Sequence, residues 1–372
     1  MILGPEITLF SYLMLAALFR LVLVFSVRSA LCILISANVF LLSVLSIISL
    51  LYLTGQITLI IGLYAVCKRF PERSNRISWI AFLGLVPFNL RLWFGSSEVV
   101  SPFWIELSSG IQSDVVWVVG STFFVVKSFV CLRECLREDR FQPLQILAGL
   151  SFLPSFAAGP IFGLGPFKAE NISSTLDVRQ LGQAIMQLGW GLAAFYVIAP
   201  ALREIASADD GNLFMSIFGI YANFGALFFD FSGYTLTAIS VAAFFGVTLP
   251  PNFNKPYLAT SIREFWQRWH MSLGWFIGTY LFKPFVRATG SPQKGIFLAF
   301  ILVGLWHEIT LGYLLWGIGH GYALSLAMKP PNWWQSTMSG LPNRRVKLIS
   351  WALTMTWVAL LSHLATNAFE GP

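Results

Sequence analysis

The chain has 372 residues, of which 56% are hydrophobic and only 11% charged. A water-facing globular surface draws on about 25% charged residues, so this composition excludes a soluble domain. The net charge of +7 is scattered over short connectors and forms no continuous basic face, which argues against nucleic acid as a partner.

Apolar stretches follow one another along the whole length. The first predicted crossing covers residues 6–25. A cleaved leader places positive charge ahead of its apolar run and a small-residue cleavage site behind it. Here Glu6 leads, Arg20 lies inside the run, and apolar residues resume at Leu31. A retained crossing is therefore expected. Further crossings are predicted at 31–53, 56–67, 77–95 and 114–132. One bilayer crossing takes about 20 residues, so the piece at 56–67 is too short to span alone. Lys68, Arg69, Arg73 and Arg76 crowd one connector and Arg133, Arg137 and Arg140 another, whereas 95–113 carries only Glu98 and Glu106. Positive connectors stay on the cytoplasmic side, and the alternation of these clusters suits a multi-pass membrane protein. The four cysteines are Cys32, Cys67, Cys131 and Cys135. No histidine stands near Cys131 and Cys135, and apolar surroundings suit free, packed thiols, so neither a metal site nor a disulfide scaffold is indicated.

The second half predicts crossings at 143–162, 181–202, 212–229, 232–249, 271–286, 296–307, 311–328 and 347–365, with a Gly/Pro/Ser/Asn-rich connector at 163–179. Helices too short to cross are tolerated at membrane depth where protein or a cavity surrounds them. Their clustering places a cavity in the C-terminal half. Residues 1–372 read as a single all-α integral membrane domain.

All four histidines, His270, His307, His320 and His363, lie in the last third of the chain. Ionisable groups inside a bilayer usually face the bundle interior or an aqueous path. In "SIREFWQRWHMSL", Ser261 and Glu264 form a capping-box pattern, and Glu264 with Arg268 has helical ion-pair spacing. Phe265 and Trp269 share one face, Trp266 and His270 another. The pattern predicts an amphipathic helix that carries His270 inward from the basic side; a helix lying in the interface without chemistry fits equally. In "FILVGLWHEITLGYLLWGIGHG", His307 and Glu308 sit in the middle of hydrocarbon. Dry surroundings favour the neutral, proton-accepting imidazole, so His307 fits a general base; the bland alternative is a histidine bonded to a carbonyl. His320, among glycines, reads as a packing residue, and His363 as an interfacial one. "FFDFSGYTL" gathers Asp230, Ser232 and Tyr234, for which a structural hydrogen bond to a neighbouring helix is the expected use. "FAAGPIFGLGPF" is a break that ends a helix or lines a pore. P-loop, dinucleotide and GxSxG patterns are missing, and "HEITLG" lacks the second histidine of a zinc protease. On these residues alone, an enzyme and a proton-coupled transporter or flippase using His270, His307 and Asp230 both remain open.

"NFNKPYLATSIREFWQRWHMSLGWF" followed by "GLWHEITLGYLLWGIGHG" resembles the membrane-bound O-acyltransferase family. The likeness is to its bacterial branch, which includes the alginate O-acetylation and lipoteichoic-acid D-alanylation proteins. "AAGPI" and "FDFSGYTLTAIS" resemble other signatures of that branch in the same order, and "GSTFFVVKSFVCLRECLRED" does so more loosely. The resemblance covers about 114–328. It implies a ring of about 11 transmembrane helices, with short or re-entrant ones around a central tunnel reached from both faces. By motif match His307 is the family's essential histidine and His270 its second polar active-site residue. Asp230, Tyr234 and Asn254 are supporting candidates, and Trp306, Glu308 and Arg268 complete the candidate substrate-binding set. Glu308 stands where the branch commonly has glycine, and the interval from His270 to His307 is shorter, so the relatives' substrates do not transfer by analogy.

The chemistry implied is acyl transfer to a hydroxyl, with no bound cofactor and no metal. The donor expected is a cytoplasmic thioester, acyl-CoA or an acylated carrier protein. The acceptor is an extracytoplasmic envelope polysaccharide or glycolipid; a lipid or small hydroxylated molecule within the bilayer is the alternative. Lys255, Arg263 and Arg268 at the inner mouth suit an acyl-CoA phosphate or an acidic carrier, and equally suit anchoring at the lipid surface. Membrane lipids and an envelope export or acylation complex are the other partners implied.

Overall fold

The computed structural model describes residues 5–45, 47–94, 121–156, 158–175, 177–208, 212–332, 336 and 343–367. The acidic connector 95–113 and the start of the crossing predicted at 114–132 lie outside them. Regular structure among the described residues is helical, and extended backbone pairs only in an isolated bridge between Ile172 and Val247.

The helices are α1 Pro5–Leu23, α2 Val27–Leu45, α3 Ile47–Arg69, α4 Ser74–Phe94, α5 Ser121–Arg137, α6 Pro143–Ser151, α7 Val178–Ser207 and α8 Leu213–Phe244. They continue with α9 Ile262–Arg268, α10 Met271–Phe276, α11 Lys283–Thr289, α12 Pro292–His307, α13 Leu311–Met328 and α14 Asn343–Asn367. Five of them (α2, α3, α7, α8 and α14) are long and apolar enough to cross a bilayer.

Two predicted breaks are absent. The short piece at 56–67 belongs to the 23-residue α3. Its polar side chains do not interrupt the helix because they bond back to it: the Thr54 hydroxyl donates to Leu50 O at 2.8 Å and that of Thr58 to Thr54 O at 2.9 Å. The predicted division between 229 and 232 is likewise spanned by the 32-residue α8. Asp230 is paired with Arg203 of α7 at 2.9 Å, and Gly233 lies where α7 crosses closely. A Cβ at Gly233 would stand 2.7 Å from Gly191 O. Conversely, the stretch predicted at 143–162 holds only the nine-residue α6, because Pro154 follows at once and cannot donate to a continuing helix.

The chain packs into two compact units: Met1–Gly189 with Thr235–Pro250, and Trp190–Tyr234 with Pro251–Pro372. In the first unit, Leu42, Leu53, Ile60, Phe124, Leu132, Ile146 and Leu150 form the core. A second aromatic knot joins Tyr12, Phe19, Phe152 and Phe245 edge to face. Two cations here, one buried and one half-buried, have no carboxylate partner among the described residues. Lys127 donates to Gly149 O and Ser155 O, both at 3.1 Å, and lies 4.4 Å from the Phe162 ring centre. Arg20 donates to Phe244 O at 2.6 Å, Ala243 O at 3.0 Å and Thr175 O at 3.1 Å. It thereby caps the end of α8, where Ala243 O also accepts from Gly246 N at 2.9 Å.

In the second unit α12 and α13 approach backbone to backbone. A Cβ at Gly317 would stand 2.6 Å from Phe300 O, so only glycine permits the crossing. Phe265, Trp269, Met355 and Val358 bury a second core with Phe224, Phe228 and Phe253. From Met271 the chain runs through α10, a π-helical segment Ile277–Phe282 and α11. α12 has 16 residues, about 24 Å of helix against a hydrocarbon thickness of about 30 Å. It stays short of a full crossing, as the sequence predicts.

Candidate active site

α9 starts as its sequence demands. The Ser261 hydroxyl accepts from Glu264 N at 3.1 Å. The Glu264 carboxylate accepts from Thr260 N at 2.7 Å and from the Thr260 hydroxyl at 2.9 Å, and pairs with Arg268 at 2.6 Å. The backbone bond from Thr260 is the main cause that holds the Glu264 carboxyl below its ordinary value. Arg268 is thus engaged within its own helix. Phe265 and Trp269 stack on each other, 5.4 Å between ring centres, in the second unit's core.

The helix stops at Arg268, before it reaches His270. His270 adopts φ 42° and ψ 57°, the left-handed region, which a non-glycine residue enters at a cost of roughly 1–3 kcal/mol. Such outliers cluster at functional sites. The ring of His270 is buried, edge-on to Phe231 at 4.7 Å, and its Nε2 has no hydrogen-bond partner among the described residues. Around it, Met271 N donates to Asn252 O at 2.8 Å, and the Asn252 side-chain oxygen accepts from Ser272 N at 3.2 Å and the Ser272 hydroxyl at 2.7 Å.

His307 is the last residue of α12. Its side chain is exposed although aromatic rings stand on several sides. Trp306 lies at 4.7 Å, Tyr313 is stacked at 5.6 Å, and Trp316 stands edge-on at 5.4 Å. An accessible imidazole walled by aromatics is a recess, not a packed core position. His270 and His307 belong to the same compact unit.

His320 lies beside this pair as more than a spacer. Trp266 Nε1 donates to His320 Nδ1 at 3.2 Å, so neutral His320 carries its proton on Nε2, which has no partner among the described residues. Trp316 bridges the histidines, 4.7 Å from His320 and 5.4 Å from His307. Tyr313, Trp316 and His320 fall at i, i+3 and i+7 of α13, one face of a helix. A cavity of about 200 Å³ is lined by Trp266 and Phe300, with Arg263, Gln267, Ile277 and Gly278 in its wall. Arg263 is the charged group among its lining residues.

The remaining candidates divide. Asp230 is held by Arg203, the structural partnership expected of it. Tyr234 is buried on α8 one turn further on, and Trp306 is buried beside His307. Glu308 caps α12 with extended backbone and is half-buried. Asn254 contributes its backbone N–H to Arg268 O at 2.9 Å, while its side chain is exposed. Of the two asparagines in "NFN", it is Asn252, not singled out from the sequence, whose side chain bonds to Ser272, two residues after His270. Among the described residues no three His, Cys, Asp or Glu side chains gather as a metal site would require.

The chain is similar to several proteins of known name. The chain is 26% identical over 268 residues to a teichoic acid D-alanyltransferase of Bacillus subtilis, covering 67% of this chain and 64% of the relative. It is 30% identical over 226 residues to a peptidoglycan O-acetyltransferase of Helicobacter pylori, covering 57% and 41%. With the probable alginate O-acetylase AlgI of Pseudomonas aeruginosa it shares 26% over 243 residues, covering 62% and 46%. The chain thus spans less than two thirds of the length of each of these relatives. The model of the membrane-bound O-acyltransferase family, MBOAT, matches residues 7–361, and the chain belongs to that family.

Proposed function

We propose that this protein transfers an acyl group from a cytoplasmic thioester to a hydroxyl of an envelope polysaccharide or glycolipid outside the membrane, with His307 as general base. The observation that carries the reading is the exposed His307, walled by Trp306, Tyr313 and Trp316, in the same compact unit as His270. The relatives named above act, by name, on teichoic acid, peptidoglycan and alginate.

The step balances without a metal or an external redox partner. The acceptor oxygen attacks the thioester carbonyl as its proton passes to His307. The tetrahedral intermediate then collapses, the C–S bond breaks, and the thiolate takes the proton back from the imidazolium. His307 ends a helix, where the negative end of the helix dipole favours a transient cation. His270, whose Nε2 has no hydrogen-bond partner among the described residues, orients the donor or hydrogen-bonds the developing oxyanion. Positioning of both substrates in a dry site supplies much of the remaining rate.

The cavity beside Trp266, apolar apart from Arg263 and Gln267, suits the donor's approach from the cytoplasmic side. Acyl-CoA and an acylated carrier protein both present a phosphate and a long thiol arm, which this lining matches. In this reading the crossings number about 11 and enclose a tunnel within one membrane domain of the bacterial inner membrane, with an envelope export or acylation complex as partner. The test uses purified full-length protein, labelled acetyl-CoA and an envelope polysaccharide extract. Acceptor-dependent release of free CoA thiol that is lost in His307→Ala supports the reading; solute uptake that survives His307→Ala, with no acyl transfer, overturns it.

A further inference from the structure

The left-handed backbone of His270 must be imposed by its surroundings, since the sequence around it contains neither a glycine nor a proline to favour the turn. Trp269 before it is extended (φ −100°, ψ 130°), and a new helix begins directly after it. One loop touches the chain on both sides of this kink. Asn254 N donates to Arg268 O, two residues ahead of His270, and Asn252 O accepts from Met271 N, one residue behind. The side-chain oxygen of Asn252 then accepts twice from Ser272. Asn252 is 1% exposed and Ser272 3%, so no water competes for these bonds.

We infer that Asn252 is a positioning residue for acyl transfer: its side chain anchors Ser272 and so fixes where the His270 imidazole points. The inference rests on the reading that His270 serves the reaction. A substitution here deletes only the side-chain bonds, because the carbonyl that holds Met271 is backbone. Asn252→Asp keeps an oxygen acceptor in place, Asn252→Ala removes it, and Ser272→Ala removes one of the two donors.

Two measurements on the full-length protein in nanodiscs test it. In the first, histidines are modified with diethyl pyrocarbonate and the rate at each is read by peptide mass spectrometry. His270, enclosed in the wild type, should react several-fold faster in Asn252→Ala, while exposed His307 keeps its rate; Asn252→Asp should return His270 to slow modification. In the second, turnover of labelled acetyl-CoA in Asn252→Ala should show kcat lowered roughly 10–100-fold with KM little changed. Ser272→Ala should fall between wild type and Asn252→Ala, and it serves if the alanine at 252 does not fold. Wild-type modification of His270 and wild-type kcat in Asn252→Ala would overturn the inference, as would Asn252→Asp behaving like Asn252→Ala in both measurements. If His270→Ala itself retains full turnover, the role given to His270 in acyl transfer fails, and the positioning of its ring is still decided by the modification rates.

Discussion

The phenol ring of Tyr313 stacks on the imidazole of His307, with centres 5.6 Å apart and planes inclined by 24°. The contact joins the first turn of α13 to the last residue of α12 and leaves the imidazole exposed. A histidine placed this way contributes little to folding and is open to a substrate. His307→Ala is therefore expected to keep the melting temperature within a few degrees of wild type. It should lose acyl transfer by about 10²–10⁴-fold, the range of a general base. Size-exclusion profiles and turnover on the same preparation check both halves, and a variant that unfolds instead would place His307 among the structural residues.

His270 makes the opposite demand, because its backbone is strained whatever its side chain does. Asparagine visits the left-handed region readily, whereas a β-branched residue there is an outlier. His270→Asn is accordingly expected to fold close to wild type, and His270→Val to be less stable by roughly 1–3 kcal/mol. Both lack the imidazole, so thermal melts separate the backbone effect from the catalytic one. Equal stability of the two variants would mean that the left-handed turn is relaxed in the membrane.

Local chemistry was legible in the sequence; partnerships across the fold were not. The Ser261 cap and the Glu264–Arg268 pair depend on neighbours within one turn, and both stand as their spacing predicts. His307 at the end of a short helix was also readable, whereas Tyr313 and Trp316, which share a helical face with His320, are not marked as partners of His307 by any local pattern. The continuity of α8 through Asp230 was hidden because its neutralising partner, Arg203, sits on another helix. α3 was divided at Thr54 because a polar residue reads as a break until its hydroxyl is seen bonded to Leu50 O. Nothing in "WHMS" announces a left-handed histidine. That conformation exists because Asn252, from a separate loop, holds the next two residues.

The Arg203–Asp230 pair gives a prediction about how polar groups survive in this unit. Asp230 is 15% exposed and Arg203 33%, so the pair is largely desolvated. Removal of one partner leaves the other charge uncompensated, and Arg203→Met should destabilise by roughly 2–4 kcal/mol, toward the lower part of the range for buried pairs. The double variant Arg203→Met with Asp230→Leu should recover much of that loss, since neither charge then needs a partner. A double variant no more stable than Arg203→Met, by thermal melting in one detergent, would show that Asp230 has a role beyond the pair.

Glu264 supplies a pH dependence whose sign follows from its partners. Thr260 N–H first, then the Thr260 hydroxyl and the Arg268 charge, favour its ionised form, so its folded pKa lies below the ordinary 4.5. A carboxylate depressed in this way stabilises the fold fully above the unfolded value and loses that contribution as pH falls through the folded one. Wild type should therefore melt above Glu264→Gln at neutral pH. The two melting temperatures should converge as pH drops from about 5 through the folded value, below which both side chains are uncharged. A difference that persists unchanged across that interval would assign the effect to packing at the start of α9, because packing does not titrate.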